Sequence, residues 1–275
     1  MTNATIATNP PGLDAIKAKQ NAAWSSGDYS ILGATLQITG ESLAETMDVR
    51  PSSAVLDVAA ANGNATLAFA RRWCEVTSTD YVPALLDRGR VRAEAEGHNI
   101  VFQVADAEAL PFDDDSFDAV VSTFGVMFTP DQSKAAAELM RVCCPGGKIG
   151  MANWAADGFI GQLFKLVGRH VPPPAGVKPP VLWASKEWLH ETFQDAARIT
   201  ITPRDFTFRY RSPDHFIDTF RTWYGPIHKA FQALDDSGRA SLEAGMRTLI
   251  DSMNVTSDGS MKVPGRYVEV VIVKS

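Results

Sequence analysis

The central third of the chain alternates short apolar runs with amphipathic stretches, the pattern of a parallel α/β sheet. The apolar runs predict five strands, at 54–58, 76–80, 100–105, 117–123 and 147–153. Between them, apolar positions repeat with the helical period at about 64–73, 83–96 and 131–143. Right-handed crossovers then give a doubly wound sheet whose strands end along one crevice.

The two ends of the chain carry different patterns. Before the first strand, helices are predicted at 14–25, 29–36 and 41–47, and residues 1–12 are expected to be a frayed tail. After Trp154, helices are predicted at 158–170, 185–193, 213–223, 226–235 and 238–253, and strands at 199–211 and 267–274. With no repeat or long linker, we expect one domain. Residues 1–50 are its helical cover, 51–155 its cofactor-binding core, and 156–275 its helical cap and C-terminal strands.

Composition and charge narrow the class of partner. The 275 residues include 26 basic and 32 acidic side chains, a formal charge of -6, and no basic cluster, which argues against nucleic acid. No stretch approaches the roughly 20 apolar residues of a membrane span. The N-terminus lacks the pattern of a secretion signal, so a cytoplasmic protein is expected. No histidine or cysteine lies at metal-ligand spacing near another, so no metal is expected.

The run at 54–66 holds the clearest candidate site. An apolar strand interrupted by Asp57 passes into the small residues 59–63 and then into a helical pattern. This arrangement brings backbone N–H groups against a ligand. Asp80 closes the second strand, where an acid can reach the hydroxyls of a ribose bound over the first loop. Asp106 follows the third strand at the same edge of the sheet.

Four segments in order resemble the motifs of class I S-adenosylmethionine (SAM)-dependent methyltransferases, of the group that includes quinone-biosynthesis and small-molecule enzymes. They are Val-Leu-Asp-Val at 55–58 with the loop through Gly63, the run 79–86, the run 106–112 with 116–118, and the run 141–147. The resemblance implies a Rossmann-like, seven-stranded, mostly parallel sheet. In that sheet, 267–274 inserts antiparallel between the fifth strand and the strand at 199–211.

The resemblance also implies roles for residues along this edge. The implied cofactor-binding residues are Asp57, Ala59, Ala61, Gly63, Asp80, Tyr81, Asp106, Ala107 and Ser122. Asp80 would bind the ribose hydroxyls, Asp106 the adenine amino group, and the loop 59–63 the methionyl end of SAM. Ser122 would border the sulfonium. The implied activity is in-line transfer of a methyl group from SAM to a small molecule.

One departure from the family pattern bears on the cofactor. The family usually has glycine at the first and middle loop positions, where this chain has Ala59 and Ala61 and keeps only Gly63. If residue 61 needs a positive φ, its Cβ costs about 1 to 2 kcal/mol, and a methyl group facing the cofactor costs about 1 to 3 kcal/mol. Two alternatives therefore stay open. One is a methyltransferase-fold enzyme that uses another one-carbon carrier, such as a folate, for demethylation or dehalogenation. The other is a non-catalytic small-molecule binding protein.

Substrate contacts are assigned by location only. The N-terminal helices and the aromatic-rich segment after the fifth strand can close over the crevice, which favours an apolar or aromatic small-molecule substrate. The candidate catalytic residues are Trp24, Tyr29, His170 and His228, with His190 as a further base by location. The chain lacks Gly-x-Ser-x-Gly and Gly-x-Gly-x-x-Gly, which argues against a hydrolase and a nicotinamide dehydrogenase. A monomer or homodimer is expected.

Overall fold

A computed structural model describes residues 12–275, so all but the last residue of the predicted tail at 1–12 lies outside the described residues. The strands are β1 (Ala54–Val58), β2 (Glu75–Asp80), β3 (Val101–Val104), β4 (Phe117–Thr123), β5 (Cys143–Trp154), β6 (Ala196–Tyr210) and β7 (Met261–Lys274). The helices are α1 (Leu13–Trp24), α2 (Tyr29–Gly33), α3 (Gln37–Met47), α4 (Asn64–Ala70), α5 (Pro83–Ala95), α6 (Gln132–Val142), α7 (Phe159–His170), α8 (Lys186–Thr192), α9 (Pro213–Trp223), α10 (Gly225–Ala233) and α11 (Asp236–Met253).

The strands form one sheet in the order β3-β2-β1-β4-β5-β7-β6. β1 to β5 pair in parallel, whereas β7 pairs antiparallel with both β5 and β6. The predicted doubly wound sheet and its antiparallel insertion are therefore confirmed. The order reverses between β1 and β4, and a crevice opens at this point beyond the carboxyl ends of the strands.

The two faces of the sheet bury separate apolar clusters, because side chains alternate along each strand. On one face, Val55 of β1 packs with Leu43 of α3 and Phe69 of α4. On the other face, Leu56 packs with Leu139 of α6 and with the helices that follow β5. Asp57 shares the face of Val55, so its side chain points toward α4.

Several predicted boundaries are corrected. β7 begins at Met261 instead of 267. Met261 and Val263 are buried, whereas Lys262 and Arg266 are exposed, so buried and exposed side chains alternate from the start of the strand. This alternation continues the pairing with β6 as a long two-stranded ribbon. The third helix begins at 37 instead of 41, the helix predicted over 64–73 ends at 70, and β5 begins at 143 instead of 147.

The N-terminal helices meet the segment after β5 above the crevice. α1 contacts α10, and α2 contacts α9, while α7 and α11 pack against each other behind them. These contacts join the N-terminal helices to the helices that follow β5. Among the helices of residues 12–275, none combines the length and the apolar character needed to cross a bilayer.

Candidate functional site

An open cavity lies between the sheet edge, the N-terminal helices and the cap, and its empty volume is about 1110 Å³ when the open solvent at its mouth is included. Its lining divides by chemistry into two parts. The acidic end is lined by Lys17, Gln20, Ala59, Ala61, Asp80, Tyr81, Asp106 and Ala107. The aromatic chamber is lined by Trp24, Tyr29, Phe124, Phe128, Trp154, Phe164, Phe208, Tyr210, Phe220 and Tyr224. One continuous space therefore joins polar groups at the strand ends to an aromatic enclosure under the cap.

The loop between β1 and α4 adopts an alternating left-handed backbone. Ala59, Ala61 and Gly63 have φ values of 52°, 49° and 80°. The condition set for residue 61, a positive φ, is therefore met, and Ala59 carries the same strain. The loop is held by hydrogen bonds: the N–H of Ala60 donates to the carbonyl of Thr79, and the N–H of Ala61 donates to Asp80 Oδ2 at 2.9 Å.

Asp80 is the buried carboxylate of the acidic end. Its Oδ2 accepts from the N–H of Ala61, and its Oδ1 accepts from the N–H of Val82 at 2.9 Å. Burial raises the pKa of Asp80 to about 6, although these N–H donors act in the opposite direction. Each carboxylate oxygen has a second lone pair, so the group can still accept hydrogen bonds from two ligand hydroxyls.

Asp57 lies behind the loop and does not line the cavity. Its Oδ2 accepts hydrogen bonds from the backbone N–H and the hydroxyl of Thr66, at 2.7 and 2.6 Å, and thereby fixes the first turn of α4. Burial raises the pKa of this carboxyl group to about 7. The structure therefore places the Asp57 side chain on the face of the sheet covered by α4, where it positions the start of that helix.

Gly63 and Ser122 also lie outside the cavity lining. Gly63 precedes α4 in a left-handed conformation, and its contribution is to the turn. The hydroxyl of Ser122 donates to the carbonyl of Val58 at 2.7 Å and accepts from the N–H of Val126 at 3.0 Å. It joins the ends of β1 and β4 instead of facing a ligand. The other residues expected to bind the cofactor, Ala59, Ala61, Asp80, Tyr81, Asp106 and Ala107, all line the cavity.

Lys17 is a site residue that the sequence analysis missed. Its Nζ lies 2.6 Å from Asp106 Oδ2 and 2.6 Å from Glu108 Oε2. On the same helix, the amide of Asn21 donates to the carbonyl of Tyr81 at 2.8 Å. These contacts fasten α1 across the acidic end. The available signal was the spacing of positions 17, 20 and 24, which places Lys17, Gln20 and Trp24 on one helix face.

Gly125 is a second missed residue, and it supports the strained loop from the side of β4. A Cβ added there would lie 2.2 Å from the carbonyl oxygen of Ala59, so only glycine allows this approach. The preceding Phe124 has a φ of 58° and stacks on Trp154 with ring centroids 4.0 Å apart. The turn after β4 therefore packs on the loop after β1 while its aromatic ring enters the chamber.

The candidate catalytic residues separate into two groups. Trp24 and Tyr29 line the aromatic chamber. His170 and His228 do not: His170 lies in hydrogen-bonding distance of Leu166 and Ser241, and His228 of Arg221 and Gln232. His190 is likewise absent from the lining. Two candidates thus remain in contact with the cavity, and neither is a histidine.

Comparison with protein families and sequences identifies related proteins. Residues 55–147 match the model of a methyltransferase domain. The chain is 34% identical over 262 residues to an uncharacterised protein of Mycobacterium tuberculosis, covering 94% of this chain and 96% of that protein. It is 32% identical over 165 residues to the demethylmenaquinone methyltransferase of Thermus thermophilus, covering 57% of this chain and 75% of the enzyme.

Solved structures show the same fold at low sequence identity. The YcgJ protein of Bacillus subtilis superposes with a TM-score of 0.60 at 20% identity, covering 86% of this chain and 98% of that chain. A phosphoethanolamine N-methyltransferase of Haemonchus contortus, solved in complex with SAM, superposes with a TM-score of 0.53 at 17% identity. The match covers 86% of this chain and 52% of that one.

Proposed function

Because the chain belongs to the SAM-dependent methyltransferase family, we propose that it transfers the methyl group of SAM to a small, apolar or aromatic acceptor bound in the aromatic chamber. The observation that carries this proposal is the continuity of the cavity, in which the polar groups of the strand ends open directly into the chamber. A donor at one end and an acceptor at the other would meet near Phe124 and the loop after β1.

The acidic end offers groups that suit each part of SAM. The second lone pairs of Asp80 suit the two ribose hydroxyls, and Asp106 with the backbone of Ala107 suits the adenine edge. The loop at 59–63 would hold the methionyl end. SAM, when bound, supplies a methyl group activated by a positively charged sulfur, and the acidic lining favours that charge.

The Cβ atom of Ala61 is the feature that opposes this fit. Ala61 lines the cavity beside Asp80, where the family usually has glycine. A methyl group at this position takes up space that glycine would leave to the methionyl end, so we expect SAM to bind more weakly here than in a chain with glycine at residue 61.

The chain's own contribution to the reaction is positioning. No histidine of the described residues lines the cavity, and the carboxylates that do so lie at the acidic end. The aromatic chamber therefore acts by excluding water and by holding the acceptor in line with the methyl group, which can supply most of the acceleration. An acceptor that ionises readily, or that is nucleophilic when neutral, needs no protein base in this arrangement.

Titration calorimetry with SAM and with S-adenosylhomocysteine tests the proposal. We expect both to bind, and Asp80→Asn to weaken both by roughly tenfold or more, because the amide replaces a charged acceptor of two hydroxyls. Asp87→Asn is the matched control: it makes the same change at an exposed residue of α5. Absence of binding at millimolar SAM, or equal effects of the two substitutions, would contradict the proposal.

A further inference from the structure

The side chain of Arg92 on α5 is hydrogen-bonded to the loop after β1. Its Nη1 donates to the backbone carbonyl of Asn62 at 2.7 Å and to Oδ1 of Asn64 at 2.9 Å. Asn62 and Asn64 are 1% and 7% exposed, so both acceptors lie inside the fold. Neither asparagine lines the cavity, and Arg92 does not line it either. The guanidinium therefore contacts the loop without occupying the space of a ligand.

The loop after β1 is a segment that requires support from outside, because its backbone is strained. Ala59 and Ala61 have φ values of 52° and 49°, which an L-residue adopts at a cost. Such conformations persist where the surrounding contacts over-determine them. Arg92 is half-buried, and burial lowers its pKa from the ordinary value. Hydrogen bonds from a partly desolvated charged donor are strong, so these two bonds oppose relaxation of the loop.

The same network extends to α2, whose Tyr29 lines the aromatic chamber. The Asn64 side chain that accepts from Arg92 donates through Nδ2 to the carbonyl of Gly33, the last residue of α2, at 2.6 Å. A Cβ at Gly33 would overlap the side-chain oxygen of Asn62, so the end of α2 packs directly on the loop. One guanidinium is thus joined, through one asparagine, to the loop and to a helix of the chamber wall.

Arg88, one turn earlier on α5, contacts the other end of α2. Its Nη2 donates to Oδ2 of Asp28 at 2.7 Å. Asp28 caps the start of α2, since its Oδ1 accepts from the N–H of Ser30 at 3.1 Å. Residues 88 and 92 lie four positions apart and therefore on one face of α5. Of these two arginines, Arg92 alone is hydrogen-bonded to the loop within residues 12–275.

We propose that Arg92 is a positioning residue of the donor site, which fixes the loop after β1 and α2 in one arrangement, whereas Arg88 holds α2 alone. Without the Arg92 guanidinium, Ala59 or Ala61 would leave the left-handed region in the ligand-free protein. A donor would then have to restore that conformation on binding, which lowers its measured affinity. The inference rests on the proposed function for the identity of the loop as the donor site, but part of its test needs no ligand.

Hydrogen–deuterium exchange of the ligand-free, full-length protein separates the roles of the two arginines. Arg90→Met is the matched control on the same helix, since the guanidinium of Arg90 contacts Asp87 of α5 and the ring of Phe102. We expect Arg92→Met to speed exchange in the loop after β1 and in α2, and Arg88→Met to speed it in α2 alone. Arg90→Met should leave both segments unchanged. Unchanged exchange of the loop in Arg92→Met, or equal changes in all three variants, would overturn the inference.

Titration calorimetry with SAM supplies the second readout, at a temperature where circular dichroism shows each variant to be folded. We expect Arg92→Met to weaken SAM by about 5- to 30-fold, the factor for returning one alanine to the left-handed region, and Arg90→Met to change it little. Arg92→Lys keeps the charge but lacks the planar donors, so its affinity should fall between those of the unaltered chain and Arg92→Met. It also serves as the test variant if Arg92→Met does not fold.

A purely structural role for Arg92 predicts a different result. The melting temperature of Arg92→Met would then fall, while the folded variant kept the SAM affinity of the unaltered chain, and this result would overturn the inference. An unaltered chain that binds no SAM would refute the proposed function instead. The exchange pattern would still decide whether Arg92 holds both segments.

Discussion

Replacing Ala61 by glycine tests how much the left-handed backbone of the loop after β1 costs in stability. Ala61 has a φ of 49°, a left-handed conformation that costs an L-residue about 1 to 2 kcal/mol. Glycine removes that cost, but it also raises the conformational entropy of the unfolded chain. This second effect destabilises the fold by about 0.4 to 1 kcal/mol and so cancels part of the gain. We therefore expect Ala61→Gly to change the free energy of unfolding by about 0 to 1.5 kcal/mol in the stabilising direction.

Ala60→Gly is the matched control within the same loop. Ala60 is 7% exposed and has no positive φ, so glycine there removes a buried methyl group and relieves no strain. Its free energy of unfolding should fall by about 1 to 2 kcal/mol, from the lost burial and the added freedom of the unfolded chain. Urea denaturation of the two variants in one buffer measures the difference. Equal destabilisation by both substitutions would refute the assignment of strain to Ala61.

The same variant tests the fit of SAM. Ala61 lines the cavity, and an overpacking cost of about 1 to 3 kcal/mol from its Cβ would correspond to roughly 5- to 150-fold in affinity. Titration calorimetry should therefore show tighter SAM binding by Ala61→Gly than by the unaltered chain. Unchanged or weaker binding would refute the steric argument. Binding by the variant alone would favour another one-carbon carrier for the natural sequence.

Three further results are expected from the acidic end of the cavity. Lys17→Met should lower the free energy of unfolding by about 1 to 3 kcal/mol in urea denaturation, because it leaves the buried Glu108 without its cation. Lys19→Met is the control: Lys19 is exposed and has no ion pair with residues 12–275, so the free energy of unfolding should change little. The raised pKa of Asp80 means that its protonated form stabilises the ligand-free fold, a contribution present at low pH and lost as the pH rises through about 6. Ribose hydroxyls favour the ionised form, so SAM affinity measured by calorimetry should fall as the pH drops through about 6 and be constant well above it. Gly125→Ala should weaken the binding of SAM by roughly tenfold or more in the same assay, because the added Cβ would displace the carbonyl group of Ala59. An unaltered affinity for SAM would show that the loop after β1 can move without loss of binding.

Much of the fold was predictable because its signals are local. The apolar runs at 54–58 and 117–123 coincide with β1 and β4, and the helix at 213–223 coincides with α9. The position of β7 between β5 and β6 was implied by the family resemblance and is confirmed by the strand order. The early start of β7 at Met261 was missed, because Pro264 and Gly265 interrupt the apolar–polar alternation of a strand in the sequence. In the structure, both residues nevertheless pair with β6.

The site was less predictable, because side-chain direction depends on tertiary contacts. Asp57 and Asp80 both lie near the carboxyl ends of neighbouring strands, yet one is turned toward α4 and the other lines the cavity. The pairing of Lys17 with Asp106 joins groups 89 positions apart, which no spacing rule reaches. The histidines were candidates by location along the chain, and the packing of the cap directs them elsewhere.

The helix α1 contributes to both parts of the cavity. Lys17 and Asn21 fasten it to the acidic end, and Trp24, about two turns beyond Lys17, forms part of the aromatic chamber. A donor at the acidic end and an acceptor in the chamber would therefore contact the same helix. We expect their binding to be thermodynamically linked: a factor by which the donor raises the affinity for the acceptor must equal the factor by which the acceptor raises the affinity for the donor. On the proposed function, α1 is thus both a wall of the cavity and the element that couples the binding of the two ligands.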